Sequence, residues 1–477
     1  MRKKGSVTVF LTLILSLLLS LICASIESVR MASARTQILN GMDIGLYSLF
    51  GQYDKELLAD YDLFALDGSR GGGQLNLAAV CDELEAYMNP VLKQNSQKLT
   101  LCQSGLTGYR LLTDQKGEAF YQQIVGYMQE TLGSQGIQLL LGRMSERQEK
   151  TAQADQSANQ AQSKGSIDRY DSEMNQASEK SQQAAEEAQV VPQAPPAKNP
   201  ITIMKRIMKR GVLELVLPGG NGLSTKEIEK GTLVSGRGLQ QGMEMPDGMT
   251  VENSYTSEVL FQQYLMEHLG SYAEPSSAGL AYQMEYVFGG KNSDEDNLKA
   301  VASKLLFIRE GVNFACLMAD NVKRSEAQAL ATAIASGFLV PPAAVIIEAA
   351  LILCWAFAES VLDVRELFAG GRIPLVKSSG DWQISLGNLP DLMEELDSMR
   401  RNDEKGMSYK DYLQVLVLTV SKEKKVMRAM DMIENTIREK GRKNFCMDSC
   451  IVALEAFADV KANKKKDFQV IRQYCYE

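Results

Sequence analysis

The sequence predicts a helix-rich α+β protein: a long N-terminal transmembrane helix with a small α/β module, then a larger, mostly helical module with short β-hairpins. Three observations lead there. Val7–Ile26 is a 20-residue run without a charge, and apolar residues continue beyond it at helical spacing (Ile38, Met42, Leu46, Leu49). From residue 253 onward apolar positions recur mostly at helical intervals. Short strand-like stretches bounded by Gly and Asp stand at 63–68, at 98–113 and near the C-terminus.

Twenty residues of helix rise about 30 Å, the thickness of the hydrocarbon core. The preceding Arg2-Lys3-Lys4 cluster is expected to stay in the cytoplasm, leaving the rest of the chain outside as a single-pass cell-membrane protein. The net charge of 51 − 59 = −8 then divides into +3 for residues 1–26 and 48 − 59 = −11 for the ectodomain. A retained anchor is preferred to a cleaved signal peptide. A signal's apolar region is shorter, about 7–15 residues, and the small-x-small triplet Ala32-Ser33-Ala34 lies beyond Glu27 and Arg30. Lipidation at Cys23 is disfavoured by Ile22 before it. Along residues 7–26, which face the lipid bilayer, and just beyond, every fourth residue is small: Thr8, Thr12, Ser16, Ser20, Ala24, Ser28, Ala32 and Thr36. Such a ridge suits packing against a second copy or another membrane protein. The alternative is that the hydroxyls bond only their own helix carbonyls.

After the span, one helix is expected to run to about Ala59, with Gly41, Gly45 and Gly51 as weak points. Leu63–Leu66 reads as a short buried strand, 75–89 as a helix stopped by Pro90, 98–113 as a strand interrupted at Gly105 and Gly108, and 117–144 as a helix. Residues 151–190 hold eight Ala and eight Gln with few large apolar residues, and read as a solvated, partly helical spacer ending in the Pro-rich 190–200. Residues 204–210 form a basic amphipathic turn, read as a domain helix rather than a membrane-surface one, and Val212–Leu217 is a strand candidate. The apolar stretches 327–340 and 343–358, split by Pro341-Pro342, read as a buried helical hairpin. Glu348 and Glu359 argue against a second span. A β-hairpin is expected at 373–377 and 382–386, helices at 408–420 and 422–440, and a long hairpin turning at 461–466 (KANKKK), with helix as the alternative for 449–458.

The chain has one histidine, His268, which excludes a two-His metal site and is read as a surface or cap residue. The acidic balance argues against nucleic acid. Gly289-Gly290-Lys291 lacks the spacing of a phosphate loop, and Ser421-x-x-Lys424 has no companion motif. Seven of the eight cysteines lie outside the span in no framework spacing, although Cys450 and Cys475 are candidates to face each other across the terminal hairpin. Asp294-Glu295-Asp296 reads as a solvated helix start in preference to a Ca²⁺ site. No catalytic, metal or cofactor-binding residue is assigned.

The segment KKG-SVTVFL and the helix after it resemble the class III leader of type IV pilin-like proteins, most closely the Tad pseudopilins. The resemblance implies cleavage after Gly5, with Ser6 as the new N-terminus, although Phe10 stands where pilins usually carry Glu. The stretches 57–68 (LLADYDLFALDG), 285–298 (EYVFGGKNSDEDNL), 355–382 (WAFAESVLDVRELFAGGRIPLVKSSGDW) and 407–418 (MSYKDYLQVLVL) resemble an uncharacterised family of Gram-positive membrane proteins often encoded near Tad-type pilus genes. The expected organisation is a leader (1–5), a transmembrane helix (6–26), a pilin-like α/β module (27–144), a spacer (145–200) and a helix-rich α+β module (201–477). The expected function is a non-enzymatic, membrane-anchored structural or assembly component, linked to a Tad-like pilus or secretion apparatus. The alternative is a cell-envelope enzyme or sensor ectodomain with a carboxylate-based site.

Overall fold

A computed structural model describes residues 4–93, 99–164, 176, 179, 199–217, 222–243, 245, 254–337, 343–396, 406–462 and 466–476. The protein is a helix-rich α+β structure with one four-stranded sheet among the described residues. It divides into two compact units: Met1–Tyr127 with Gly231–Glu252 and Ile437–Glu477, and Met128–Lys230 with Asn253–Thr436.

The first unit is built on α1 (Lys4–Phe50), followed by α2 (Lys55–Tyr61), β1 (Leu66–Asp67), α3 (Leu77–Lys93), β2 (Leu99–Leu111) and the start of α4 (Asp114–Lys164). The terminal hairpin β3 (Cys450–Ala462) and β4 (Lys466–Cys475) completes it, so helix is excluded for 449–458. β3 is the sheet's centre. It pairs antiparallel with β1 (Leu66↔Ile451), β2 (Leu99↔Ala462 to Leu111↔Ile451) and β4 (Ala453↔Cys475 to Ala462↔Lys466). The register with β2 slips between Leu106 and Gly108, near the predicted interruption.

The expected single helix ends earlier than Ala59. Gly51 lies in a turn, and Asp54 starts α2 by accepting the backbone N–H groups of Glu56 and Leu57. Pro90 does not stop α3, because a proline near a helix end removes one donor and the chain runs on to Lys93. The core joins one stripe of α1 (Ala34, Ile38, Met42, Leu46) to Val80, Leu84, Met88 and Leu92 of α3 and to Leu454, Ala456, Ala458 and Val460 of β3. Gly45 sits in the α1–α3 contact, where a Cβ would lie 2.7 Å from Met88 Cγ and 3.1 Å from Leu84 Cδ1. Gly45→Val is therefore expected to destabilise the first unit by about 1–3 kcal/mol through overpacking. Thermal unfolding checks this, and an unchanged transition would show that α3 gives way freely.

The second unit contains the rest of α4, then α5 (Pro200–Met208), α6 (Val212–Val216), α7 (Tyr255–His268), α8 (Gln283–Gly289), α9 (Asp294–Ala319), α10 (Asn321–Gly337), α11 (Ala344–Phe368), α12 (Leu392–Glu395), α13 (Tyr409–Leu418) and most of α14 (Lys422–Glu439). Helix α4 runs through the first part of the Ala/Gln-rich stretch, burying Thr151 and Ala154. Residues 165–198 lie outside the described residues except Gln176 and Glu179, as do Pro341 and Pro342. Helix α5 buries Ile201, Met204 and Ile207 within the unit, as an ordinary domain helix does. Helix α11 passes the length and composition test for a membrane span, yet 78% of its apolar window is buried inside the protein.

Two strand expectations are overturned. Val212–Val216 is one helical turn, burying Leu213, Leu215 and Val216, because alternation over six residues does not separate the two periods. The hairpin at 373–377 and 382–386 does not form. Ile373 bridges to Met407, and Ser378–Asp381 closes a 3₁₀ turn in which the Asp381 carboxylate accepts the Ser378 N–H and hydroxyl.

Candidate functional site

Helix α1 has two different halves. Every residue from Val7 to Arg30 is exposed, whereas the stripe beginning at Ala34 is buried in the first unit's core. The exposed N-terminal half is long and apolar enough to cross a membrane. Gly5 and Ser6 fall in the first turn of α1, but their side-chain surroundings lie outside the described residues, as do Arg2 and Lys3. The small residues Thr8, Thr12, Ser16, Ser20, Ala24 and Ser28 are all on the exposed half or at its start. Thr12 Oγ1 donates to Val9 O and Ser16 Oγ to Leu13 O, each at 2.9 Å. These hydroxyls serve their own helix, and what they offer a neighbour is small volume. At 3.6 residues per turn, each four-residue step rotates by about 40°. The ridge thus winds round the helix, and only about three consecutive members share a face.

The stretch 355–382 assembles a charged centre in the second unit. Four ionisable side chains, Arg309, Glu359, Asp363 and Lys377, have no exposed side-chain surface. Glu359 and Asp363 are one turn apart on α11, so both carboxylates share a face. Lys377 Nζ lies 2.6 Å from Glu359 Oε1 and 2.6 Å from Asp363 Oδ1. Arg309, from α9, donates to Asp363 Oδ2 through Nε (3.0 Å) and Nη2 (2.9 Å). Its Nη1 donates to the carbonyls of Pro374 and Leu375, each at 2.9 Å. Asn313 Nδ2 adds a bond to Asp363 at 3.0 Å, and Glu359 Oε2 accepts from Ile384 N at 2.9 Å. Both indoles of the chain, Trp355 and Trp382, donate to the Ile384 carbonyl at 2.6 and 2.9 Å. These bonds explain the missing hairpin: the backbone groups of 374–384 are satisfied by buried side chains instead of a partner strand.

A second polar cluster comes from 285–298 and 407–418. Glu285 is fully buried, and its Oε1 accepts from Tyr409 OH (2.6 Å) and Tyr272 N (2.8 Å), while Oε2 has no partner among the described residues. Burial is the main cause that pushes its carboxyl up to about 7, against the lowering effect of the Tyr409 hydroxyl. Asp294 is not a solvated helix start, since it is fully buried and accepts from Ala281 N (2.9 Å), Tyr282 N (3.0 Å) and Ser224 Oγ (2.5 Å). In the first unit, Asp67, from 57–68, accepts from Arg442 Nη2 at 3.1 Å and fixes the Ser69–Gly71 turn.

A cavity of about 430 Å³ in the second unit is lined by residues including Lys150, Val312, Cys316, Asp320, Lys377 and Ser378. Glu359 and Asp363 are not in its wall. Burial pushes the Cys316 thiol up, so it is no ready nucleophile. His268 ends α7, with Nδ1 3.0 Å from Tyr264 O and its ring stacked on Tyr264 at 4.0 Å. None of the eight cysteines is in a disulfide, and Cys475 pairs with Ala453 rather than facing Cys450. The charged centre was missed in sequence because its members span 309–377. The available signal was Glu359 and Asp363, one turn apart in an otherwise apolar helix. A family described as a family of unknown function (DUF5702) matches residues 192–462. No curated protein and no solved structure matches the chain.

Proposed function

The chain belongs to the family of unknown function DUF5702, and we propose that it is a non-enzymatic structural or assembly component anchored in the cell membrane by α1. The observation that carries this reading is the division of α1 into a bare apolar half and a half packed on a sheet and on α3. That plan resembles the type IV pilin arrangement, which supports a link to a Tad-like pilus or secretion apparatus. The Arg2-Lys3-Lys4 cluster supports a cytoplasmic N-terminus with both units outside. An enzyme or sensor with a carboxylate site is less well supported, because Glu359 and Asp363 are neutralised by Lys377 and Arg309 and do not line the cavity.

Envelope crosslinking and pull-down test the reading, with N-terminal sequencing to detect cleavage after Gly5. Recovery of membrane or pilus-assembly proteins is expected, and a protein that crosslinks to nothing in the envelope would count against it. Thr12, Ser16 and Ser20 fall on one face of the winding ridge. Replacing all three with Leu is expected to weaken self- or partner association by blocking close backbone approach. Unchanged crosslinking of the triple variant in membranes would remove the ridge from the proposal.

A further inference from the structure

We infer that the end of the β3–β4 ladder marked by Lys461 and Lys466, called its tip below, rests on the membrane surface, where these two side chains bind anionic phospholipid headgroups. This rests on reading α1 as membrane-spanning. Three contacts align β4 with α1. At the tip, Lys466 Nζ lies 3.9 Å from Glu27. Midway, Arg472 Nε lies 3.0 Å from Asp43. At the far end, Tyr476 OH donates to Phe50 O at 2.6 Å, and the Tyr474 and Phe50 rings are 4.7 Å apart. From Glu27 to Phe50 the helix rises 50 − 27 = 23 residues, about 35 Å. From Lys466 to Tyr476 the strand advances 476 − 466 = 10 residues, about 34 Å. Equal lengths between matched ends mean that β4 runs alongside α1 and nearly parallel to its axis.

Glu27 is the first charged residue after the apolar run, so it marks where α1 leaves the hydrocarbon. A hairpin tip beside Glu27 is therefore at headgroup level. Lys461 and Lys466 stand at that tip. The acids facing them are Glu27, which is 64% exposed, and Asp467, which is 73% exposed and 3.8 Å from Lys461 Nζ. Such loose, exposed pairs contribute little and exchange readily for phosphate. Two contacts to the membrane, one through α1 and one through the tip, would fix the tilt of the first unit.

The test uses the full-length protein in vesicles of phosphatidylcholine alone or mixed with phosphatidylglycerol. Flotation at high salt first establishes insertion, and lysines are then acylated with a water-soluble reagent at low salt. Lys461 and Lys466 are expected to label more slowly in the anionic vesicles, by about fivefold per lysine contact. Exposed Lys443, before the other end of β3, is expected to label equally in both, and high salt is expected to abolish the difference. Equal labelling of Lys461 and Lys466 in floated protein would overturn the tip contact alone. Protein that floats with neither vesicle would overturn the membrane-spanning reading itself.

Discussion

Asp363→Ala is expected to destabilise the second unit by about 3–5 kcal/mol, the cost of leaving buried charge without its counterion. The centre holds two cations and two anions with no exposed side-chain surface. Removing Asp363 leaves Arg309 and Lys377 with Glu359 alone. Among the described residues Arg309 keeps only neutral hydrogen-bond partners, the carbonyls of Pro374 and Leu375 and the side chains of Asn313 and Tyr412. Removing Arg309 and Asp363 together, as Arg309→Met with Asp363→Leu, keeps the remainder neutral as one Lys–Glu pair. That double variant is expected to be more stable than Asp363→Ala, because an apolar replacement of a whole ion pair is often neutral or stabilising. Trp355 and Trp382 are the chain's two tryptophans and both bond within this centre. Their fluorescence therefore reports its unfolding directly. A midpoint for Asp363→Ala within about 1 °C of wild type, under 1 kcal/mol for a unit of this size, would show that the centre is not a structural clamp.

That centre also marks where sequence reasoning stops. Helices α1, α13 and α14 were legible because apolar residues recur in them at helical spacing, and strand β2 and the terminal hairpin because apolar runs there are bounded by turn-forming or charged residues. Periodicity reports which face of an element is buried, not what buries it. Nothing in 99–111 indicates that its partner is 451–462, some 350 residues away. The segment 373–384 has strand-like alternation, and only the distant Arg309, Glu359 and the tryptophans decide that its backbone groups are met by side chains. In the sequence Glu359 serves only as an argument against a second membrane span. It lies inside a 25-residue helix, where its charge is matched by Lys377 from a later loop. The motif stretches carry the resemblance, and their charged residues are mostly internal partners: Glu285 with Tyr409, Asp294 with Ser224, Asp363 with Arg309, Asp67 with Arg442. Sequence shows the charge of such a residue but not the partner, often a hundred or more residues away, that the fold brings to it.

Glu285 sets the second large effect, and its sign opposes that of a salt-bridged acid. Its carboxyl titrates near the ordinary glutamate value in the unfolded chain and near 7 in the folded protein. Between those two pH values the unfolded state binds fewer protons than the folded one, so stability falls as pH rises. The contribution is absent below about pH 4.5 and reaches on the order of 3 kcal/mol of lost stability above pH 7, at 1.36 kcal/mol per pH unit. The groups facing Glu285 are Tyr409, Tyr272, Tyr282 and Asp294, none of them a cation able to hold the ionised form. Glu310 is pushed up to about 7 by the same cause, burial, so it adds a second slope over the same range. Glu285→Gln keeps an acceptor for Tyr409 and the Tyr272 N–H but cannot ionise. Its urea midpoint, followed by tryptophan fluorescence, is expected to fall less steeply than wild type between pH 5 and 8, with Glu310 supplying the residual slope. Parallel wild-type and Glu285→Gln profiles would mean that Glu285 finds a counter-charge on ionising, which would require Tyr409 and Tyr272 to move away from it.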